Sequence, residues 1–255
     1  MLTIEDFDIK LETETFGRNF VVCDEVDSTN RFLLDSKEFD EHGTVVFAEF
    51  QTKGRGRKDR EWVSQKGLNL TFSILITKKL KKINVNLIHF AASLSVAQAL
   101  ENLFQLNINL KWPNDVLVGE KKIAGILLES ISKGEKINRL VVGIGINVNQ
   151  PTFSGKFNIQ PTSTKIELKR IVSRERLLSE ILNILESNYR TLRKDPLKIM
   201  NDWRARCKMI GEKIRIVDEN IDKYGILEDI DNEGYVLLKT NGKVEKINYG
   251  DISLR

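Results

Sequence analysis

The sequence predicts an α+β protein in which helices flank a mixed, largely antiparallel central sheet and a small β-barrel closes the chain. Three observations carry that expectation. Between residues 116 and 148, three β-like runs succeed one another with only turn signals between them, the pattern of an antiparallel meander rather than of strand–helix–strand crossovers. Two long stretches, 85–104 and 174–195, read as helices that can cover a sheet. From about Met209 the chain turns to short strands and hairpin signals alone. A length of 255 residues suits a large domain over 1–208 with an appendage over 209–255, given a usual domain size of roughly 150 residues.

Taken in order, residues 44–51 (TVVFAEFQ) and 69–76 (NLTFSILI) are β-rich, and the basic segment QTKGRGRKDR joins them. Residues 85–104 place Leu87, Phe90, Ala91, Leu94 and Ala97 at helical spacing, and Ile88, Ala92, Val96 and Ala99 make the helix apolar around most of its circumference. Such a helix packs against a sheet. The meander runs through 116–118, 122–129 and 139–148, punctuated at Gly119-Glu120 and Lys133-Gly134. Ser173 stands where it can cap the next helix, and Pro196 opens another, as proline does at a first helical position. In the C-terminal block, Asp231-Asn232-Glu233-Gly234 and Asn241-Gly242 mark turns between KIRIV, YGILED, YVLLK and KVEKIN. About 45 residues is close to the lower limit for an independent core, so this block is expected to lean on the larger domain.

Composition excludes several classes. With 41% hydrophobic and 30% charged residues and four prolines, the chain is an ordinary globular protein rather than a disordered or collagen-like one. The longest apolar stretch, 140–146, is far below the roughly 18 residues of a membrane helix. The acidic start MLTIEDFDIKLETETFG has neither the basic nor the apolar region of a secretory signal, so a cytoplasmic location is expected. Cys23 and Cys207 are isolated, as are His42 and His89, so the cysteines read as buried thiols and a zinc cluster is not expected.

The net charge of +4 is equalled by residues 51–60 alone, where five cations stand against Asp59. This is a local anion site on a neutral background, whereas nucleic-acid binders spread basic residues over a face. Glycines let backbone N–H groups approach an anion while guanidinium forks bind it bidentately, so GRGRKDR suits a phosphate or carboxylate. No G-K-[ST] follows, so it is not a P-loop. Its like charges predict a segment that is mobile until an anionic ligand orders it. GIGIN (143–147) opens like a dinucleotide fingerprint, but Val148, Asn149, Gln150 and Pro151 follow where a helix should start. In KWPND (111–115) the proline predicts an extended Trp112. Taken alone this is a strand-edge turn, and DSTN (27–30) alone is a helix N-cap.

In series, DSTN, AEFQTKGRGR…W…GLNLTFS, KWPNDVLV…KKIAGILLE and VVGIGINVN resemble the biotin protein ligases (biotin–acetyl-CoA-carboxylase ligases). The resemblance covers 27–149 and resumes at the closing GDISLR, which looks like the end of that family's SH3-like domain. It implies a class II synthetase-like ligase domain and a two-step reaction. Biotin and ATP give biotinyl-5′-AMP, and a lysine of a biotin carboxyl carrier domain of a biotin-dependent carboxylase then takes the biotinyl group. The biotin contacts it implies are Ser28, Thr29, Asn30, Gln51, Gly54, Arg55, Gly56, Arg57 and Lys111. On the nucleotide side it implies Arg57, Arg60, Trp62 and Asn147, and as catalytic residues Lys111, Arg57 and Arg55. The chemistry wants these types, since two anions must be brought together and transition-state charge stabilised, while neutral donors and acceptors suit an uncharged ureido ring.

Magnesium is expected on the phosphates, with no metal ligand assigned by the motifs. Asp59 stands where the family often has glycine, and only 26 residues precede Asp27, too few for the DNA-binding domain of the family's repressor members. A monofunctional ligase without sequence-specific DNA binding or membrane attachment is therefore expected, with room for a homodimer through a sheet edge. The alternatives are a lipoate or octanoate ligase on the same scaffold and, remotely, an RNA-binding module using residues 51–60, which lacks interleaved stacking aromatics.

Overall fold

A computed structural model describes residues 2–58, 60–77, 85–133, 136–218, 221–248 and 250–254. Asp59, Gly134 and Arg255, named above, lie outside them. The elements run α1 (Ile4–Asp8), β1 (Phe20–Val26), α2 (Thr29–Asp35), β2 (Val45–Gln51), β3 (Leu70–Ile76), α3 (Val85–Phe104), β4 (Ile108–Lys111), β5 (Asp115–Val118), β6 (Lys121–Lys133) and β7 (Lys136–Ile146). There follow α4 (Thr164–Leu168), α5 (Arg174–Lys194), α6 (Pro196–Arg204), β8 (Lys213–Asp218), β9 (Ile221–Ile230), β10 (Val236–Thr240), β11 (Lys243–Ile247) and β12 (Asp251–Leu254).

Seven strands form the central sheet in the order β1-β2-β3-β7-β6-β5-β4. Only β1 and β2 pair in parallel, with α2 in the connection between them, and every other pair is antiparallel. The expected mixed, largely antiparallel sheet is therefore present. Helix α3 is apolar all round because it lies between the sheet and α5 and α6. Helix α5 buries Leu177, Leu178, Ile181, Leu182, Leu185 and Tyr189 at helical spacing. Ser173 caps it, its hydroxyl accepting from Arg176 N, and Asp195 caps α6 from before Pro196.

The main core lies on this helical side. The opposite face of the sheet carries a small separate cluster of Leu33, Val46, Leu75 and Val141, which seats α2 and leaves the rest of that face open.

The second sheet is five-stranded and antiparallel, in the order β11-β10-β9-β8-β12. Its buried residues, among them Ile214, Ile216, Leu227, Val236 and Ile252, belong to the same cluster as the central core. The Asp231–Gly234 turn reaches the first domain, where Trp112 Nε1 donates to Gly234 O at 3.0 Å. Gly234 is left-handed (φ +87°), and a Cβ there would stand 2.5 Å from the Phe90 ring, so only glycine fits this contact.

A cis Trp112–Pro113 bond lies in the tight turn between β4 and β5, and Trp112 is buried.

Candidate active site

The floor of the site is the open face of the sheet. Register places Thr71 of β3 opposite Gly145 of β7 and Ser73 opposite Gly143, while Gly125 of β6 faces Gly145 and Leu127 faces Gly143. Side chains two apart share a face, so three glycines sit together where two strands cross the centre. A Cβ on Gly143 would lie 2.2 Å from Asn30 Oδ1, and one on Gly145 would lie 2.4 Å from the Trp62 ring. The glycines of GIGIN thus let an asparagine and a tryptophan lie on the sheet, a use unrelated to a dinucleotide turn.

One wall is the start of α2. Ser28 occupies the N-cap position, as DSTN alone suggests, yet its side chain makes no cap hydrogen bond. Ser28, Thr29 and Asn30 are all buried. Thr29 N donates to Gln51 Oε1 at 2.8 Å, and the Thr29 hydroxyl lies 3.1 Å from the same oxygen. That fixes Gln51 with its Nε2 turned away from Thr29. The Ser73 hydroxyl lies 2.7 Å from Thr29 Oγ1 and 2.6 Å from Asn30 Oδ1.

The roof is the basic segment, which is pinched into a narrow hairpin. Arg55 bridges Glu61, Trp62 N donates to Gly54 O at 3.0 Å, and Gly56 N donates to Arg60 O at 2.6 Å. A Cβ on Gly54 would stand 2.3 Å from Trp62 O, so Gly54 acts by allowing this closure. The like charges of the segment are met by carboxylates. Arg55 Nη1 lies 2.8 Å from Glu129 Oε1, and Arg57 and Arg60 reach Asp251 at 3.3 and 2.6 Å. Arg57 also donates to Gly250 O at 3.3 Å, and Lys58 pairs with Asp218 at 2.8 Å. Glu129 of the central sheet and Asp218 and Asp251 of the C-terminal sheet supply the segment's counter-charges.

These surfaces enclose a cavity of about 490 Å³, within the range of small-molecule sites. Of the residues singled out from sequence, Ser28, Thr29, Asn30, Gln51, Arg55, Gly56, Arg57, Arg60 and Trp62 line it. Gly54, Lys111 and Asn147 are not in its lining. Lys111, at the end of β4, is half-buried; burial pulls its ammonium below the usual lysine range, while Asp115 and Asp251 oppose that shift and Lys122 and Arg60 add to it. Asn147 is buried, its N–H donating to Ile123 O at 2.9 Å and its carbonyl accepting from Thr164 N at 3.2 Å.

Several lining residues escaped the sequence reading. Lys122 pairs with Asp115 at 2.6 Å and lies 5.6 Å from the centre of the Trp62 ring; both line the cavity. The Trp62 indole N–H is buried with no hydrogen-bond partner among the described residues. Strict alternation would put Lys122 on the face opposite Gly125, and the irregular register between Val116 and Leu117 returns it to the floor side. Beside Arg57, burial and that positive charge push His89 down to about 3, so it is neutral at any working pH. Among the described residues no group of three or more His, Cys, Asp and Glu could hold a metal ion.

Comparison with known proteins matches the biotin/lipoate A/B protein ligase family over residues 22–147 and the biotin protein ligase C terminal domain over 209–255. The bifunctional ligase/repressor BirA of Bacillus subtilis is 32% identical over 250 residues, covering 96% of this chain and 76% of that protein. The biotin–[acetyl-CoA-carboxylase] ligase of Mycobacterium tuberculosis is 30% identical, covering 92% of this chain and 88% of its own length. The structure of a biotin protein ligase from Aquifex aeolicus in complex with biotin and ATP superposes with a TM-score of 0.82 at 32% identity, covering 93% of this chain and 99% of that one.

Proposed function

The chain belongs to the biotin/lipoate A/B protein ligase family, and from that premise we propose that its cavity joins biotin to ATP as biotinyl-5′-AMP and passes the biotinyl group to a lysine of a biotin carboxyl carrier domain. One observation of the site carries this reading. The cavity has a neutral end, where Thr29, Asn30 and Gln51 are locked in one hydrogen-bonded cluster, and a cationic end, with Arg55, Arg57, Arg60 and Lys122. An uncharged ureido ring with a carboxylate tail, laid beside a nucleotide phosphate, needs that polarity.

In the first step a biotin carboxylate oxygen attacks the α-phosphorus. A C–O–P anhydride forms, the bond from the α-phosphorus to the bridging oxygen breaks, and pyrophosphate leaves with the electron pair. Lys111 is assigned to the charge that shifts during attack. Burial disfavours its ammonium even with Asp115 and Asp251 near, so an approaching anion favours its charged form. Arg55 and Arg57 orient the reacting anions, Arg57 and Arg60 hold the finished adenylate, and Trp62 and Asn147 serve the nucleotide side. In the second step the carrier lysine's neutral amine attacks the anhydride carbonyl, AMP departs, and the amide nitrogen loses its extra proton to solvent.

This proposal places the enzyme in the cytoplasm, acting on a carboxylase carrier, without sequence-specific DNA binding; no helix among the described residues is long and apolar enough to cross a membrane. ATP–pyrophosphate exchange tests it. Exchange should require biotin, and exchange that ignores biotin, or answers to lipoate instead, overturns it. A salt-resistant, sequence-selective shift of a promoter fragment would overturn the DNA part alone.

A further inference from the structure

Glu129 follows Gly125 and Leu127 along β6 on the face that carries the floor, and its side chain is only 19% exposed. Each carboxylate oxygen has its own partner. Oε1 lies 2.8 Å from Arg55 Nη1, and Oε2 accepts from Asn30 Nδ2 at 2.8 Å. Asn30 Nδ2 also donates to Leu127 O at 3.3 Å, so both amide protons point to β6 and Oδ1 faces Ser73.

Counting protons shows what this orientation does. Asn30 Oδ1, Ser73 Oγ, Thr29 Oγ1 and Gln51 Oε1 form a row of four oxygens joined by three contacts of 2.6, 2.7 and 3.1 Å. The two ends can only accept, and the two hydroxyls bring one proton each. Three contacts share two protons, so one oxygen lone pair faces another. Turning the Asn30 amide over would add the missing proton, but it would set Oδ1 against the Glu129 carboxylate. A ligand N–H aimed at Thr29 or Asn30, both of which line the cavity, supplies that proton instead.

We propose that Glu129 is a positioning residue that holds Asn30 so the neutral end of the cavity lacks one proton and selects a ligand carrying an N–H donor, such as a cyclic urea, over a dithiolane ring of the same size. This rests on the reading of the cavity as a biotin site. The carboxylate works through Asn30; its other oxygen meets an Arg55 side chain that is 49% exposed, where solvent screens the pair.

Steady-state exchange kinetics of Glu129→Leu and Glu129→Gln test it, after the parent has been shown to exchange with biotin. A parent that does not respond to biotin defeats the reading of the cavity as a biotin site before Glu129 is in question. In a responsive protein, Glu129→Leu should raise the KM for biotin tenfold or more while moving the KM for ATP and kcat less than threefold. Glu129→Gln, which still offers an oxygen to Asn30 but no charge to Arg55, should restore most of the biotin KM, and discrimination against lipoate should fall in Leu and recover in Gln. An unchanged biotin KM in soluble Glu129→Leu with no loss of discrimination, or equal rises for biotin and ATP in both variants, overturns the proposal. If Glu129→Leu is insoluble, Glu129→Gln decides: it must stay within about threefold of the parent for biotin, and a larger loss overturns the proposal.

Discussion

The proposed division of the chemistry between Lys111 and Arg57 rests on their different surroundings. Lys111 is a compact ammonium among two carboxylates and two cations, whereas the Arg57 fork is already bound to Asp251 and Gly250 O. Lys111→Ala should slow single-turnover adenylate formation by two to three orders of magnitude, since one preorganised charge contact commonly contributes about 3–4 kcal/mol to the transition state. Arg57→Gly should still form adenylate but release it, which labelling of bystander proteins measures. Normal formation in the first or normal retention in the second contradicts the division.

A second residue reports on stability alone. Burial works to raise the Glu186 carboxyl, but the backbone N–H groups of Phe16, Glu14 and Thr15, with Arg190, outweigh it and hold it below 4.5. With the folded value depressed, the contribution is complete above the unfolded value near 4.5 and is lost as pH falls through the folded one. Glu186→Gln should therefore cost about 1–2 kcal/mol at pH 7 and progressively less below pH 4.5, as read by urea denaturation across pH. The arginines of GRGR were legible because residue type announced an anion site, while DSTN, alone a helix cap, was picked out only by the family resemblance. Glu129 and Lys122 were not, because their roles depend on which strand lies beside which.

At the scale of elements, the helices and strands follow the sequence where one periodicity rules, as in α3, α5 and the β6–β7 meander. The elements absent from the sequence reading are short: α1, β4, α4 and β12 are four or five residues each. Such pieces hold too few residues to show a period and owe their form to tertiary contact, as when Leu110 of β4 donates its N–H to Arg206 O. The edge strand β1 was missed for another reason, its partly exposed residues giving no clear alternation. The glycine floor is the element-scale property that matters most for function, since it exists only when β3, β7 and β6 are in register. Gly143→Ala should displace Asn30, because the new methyl would stand 2.2 Å from Oδ1, at a cost of about 1–3 kcal/mol for forced repacking. Biotin affinity should fall with it, by calorimetry, while the fold persists by circular dichroism. Unchanged affinity would mean that Asn30 does not face the ligand.

At the scale of the molecule, one continuous core and the Trp112–Gly234 contact join the two sheets. The whole chain should therefore unfold in a single transition, whereas the piece 209–255 alone should stay unfolded in a circular dichroism spectrum, lacking the apolar surface it shares with the first domain. Two transitions, or a folded fragment, would show that the sheets are thermodynamically separate. The same union gives Asp251 its place under the basic hairpin, where Arg57, Arg60 and Lys58 approach one carboxylate at 3.3, 2.6 and 3.7 Å. The chain thus carries an internal counter-ion, and under the proposed assignment of Arg57 and Arg60 to the nucleotide, its entry is an exchange of one anion for another rather than an addition to bare cations. Few salt ions are displaced in such an exchange. Nucleotide affinity should accordingly fall only gently with ionic strength, and Asp251→Asn should make it both tighter at low salt and more steeply salt-dependent.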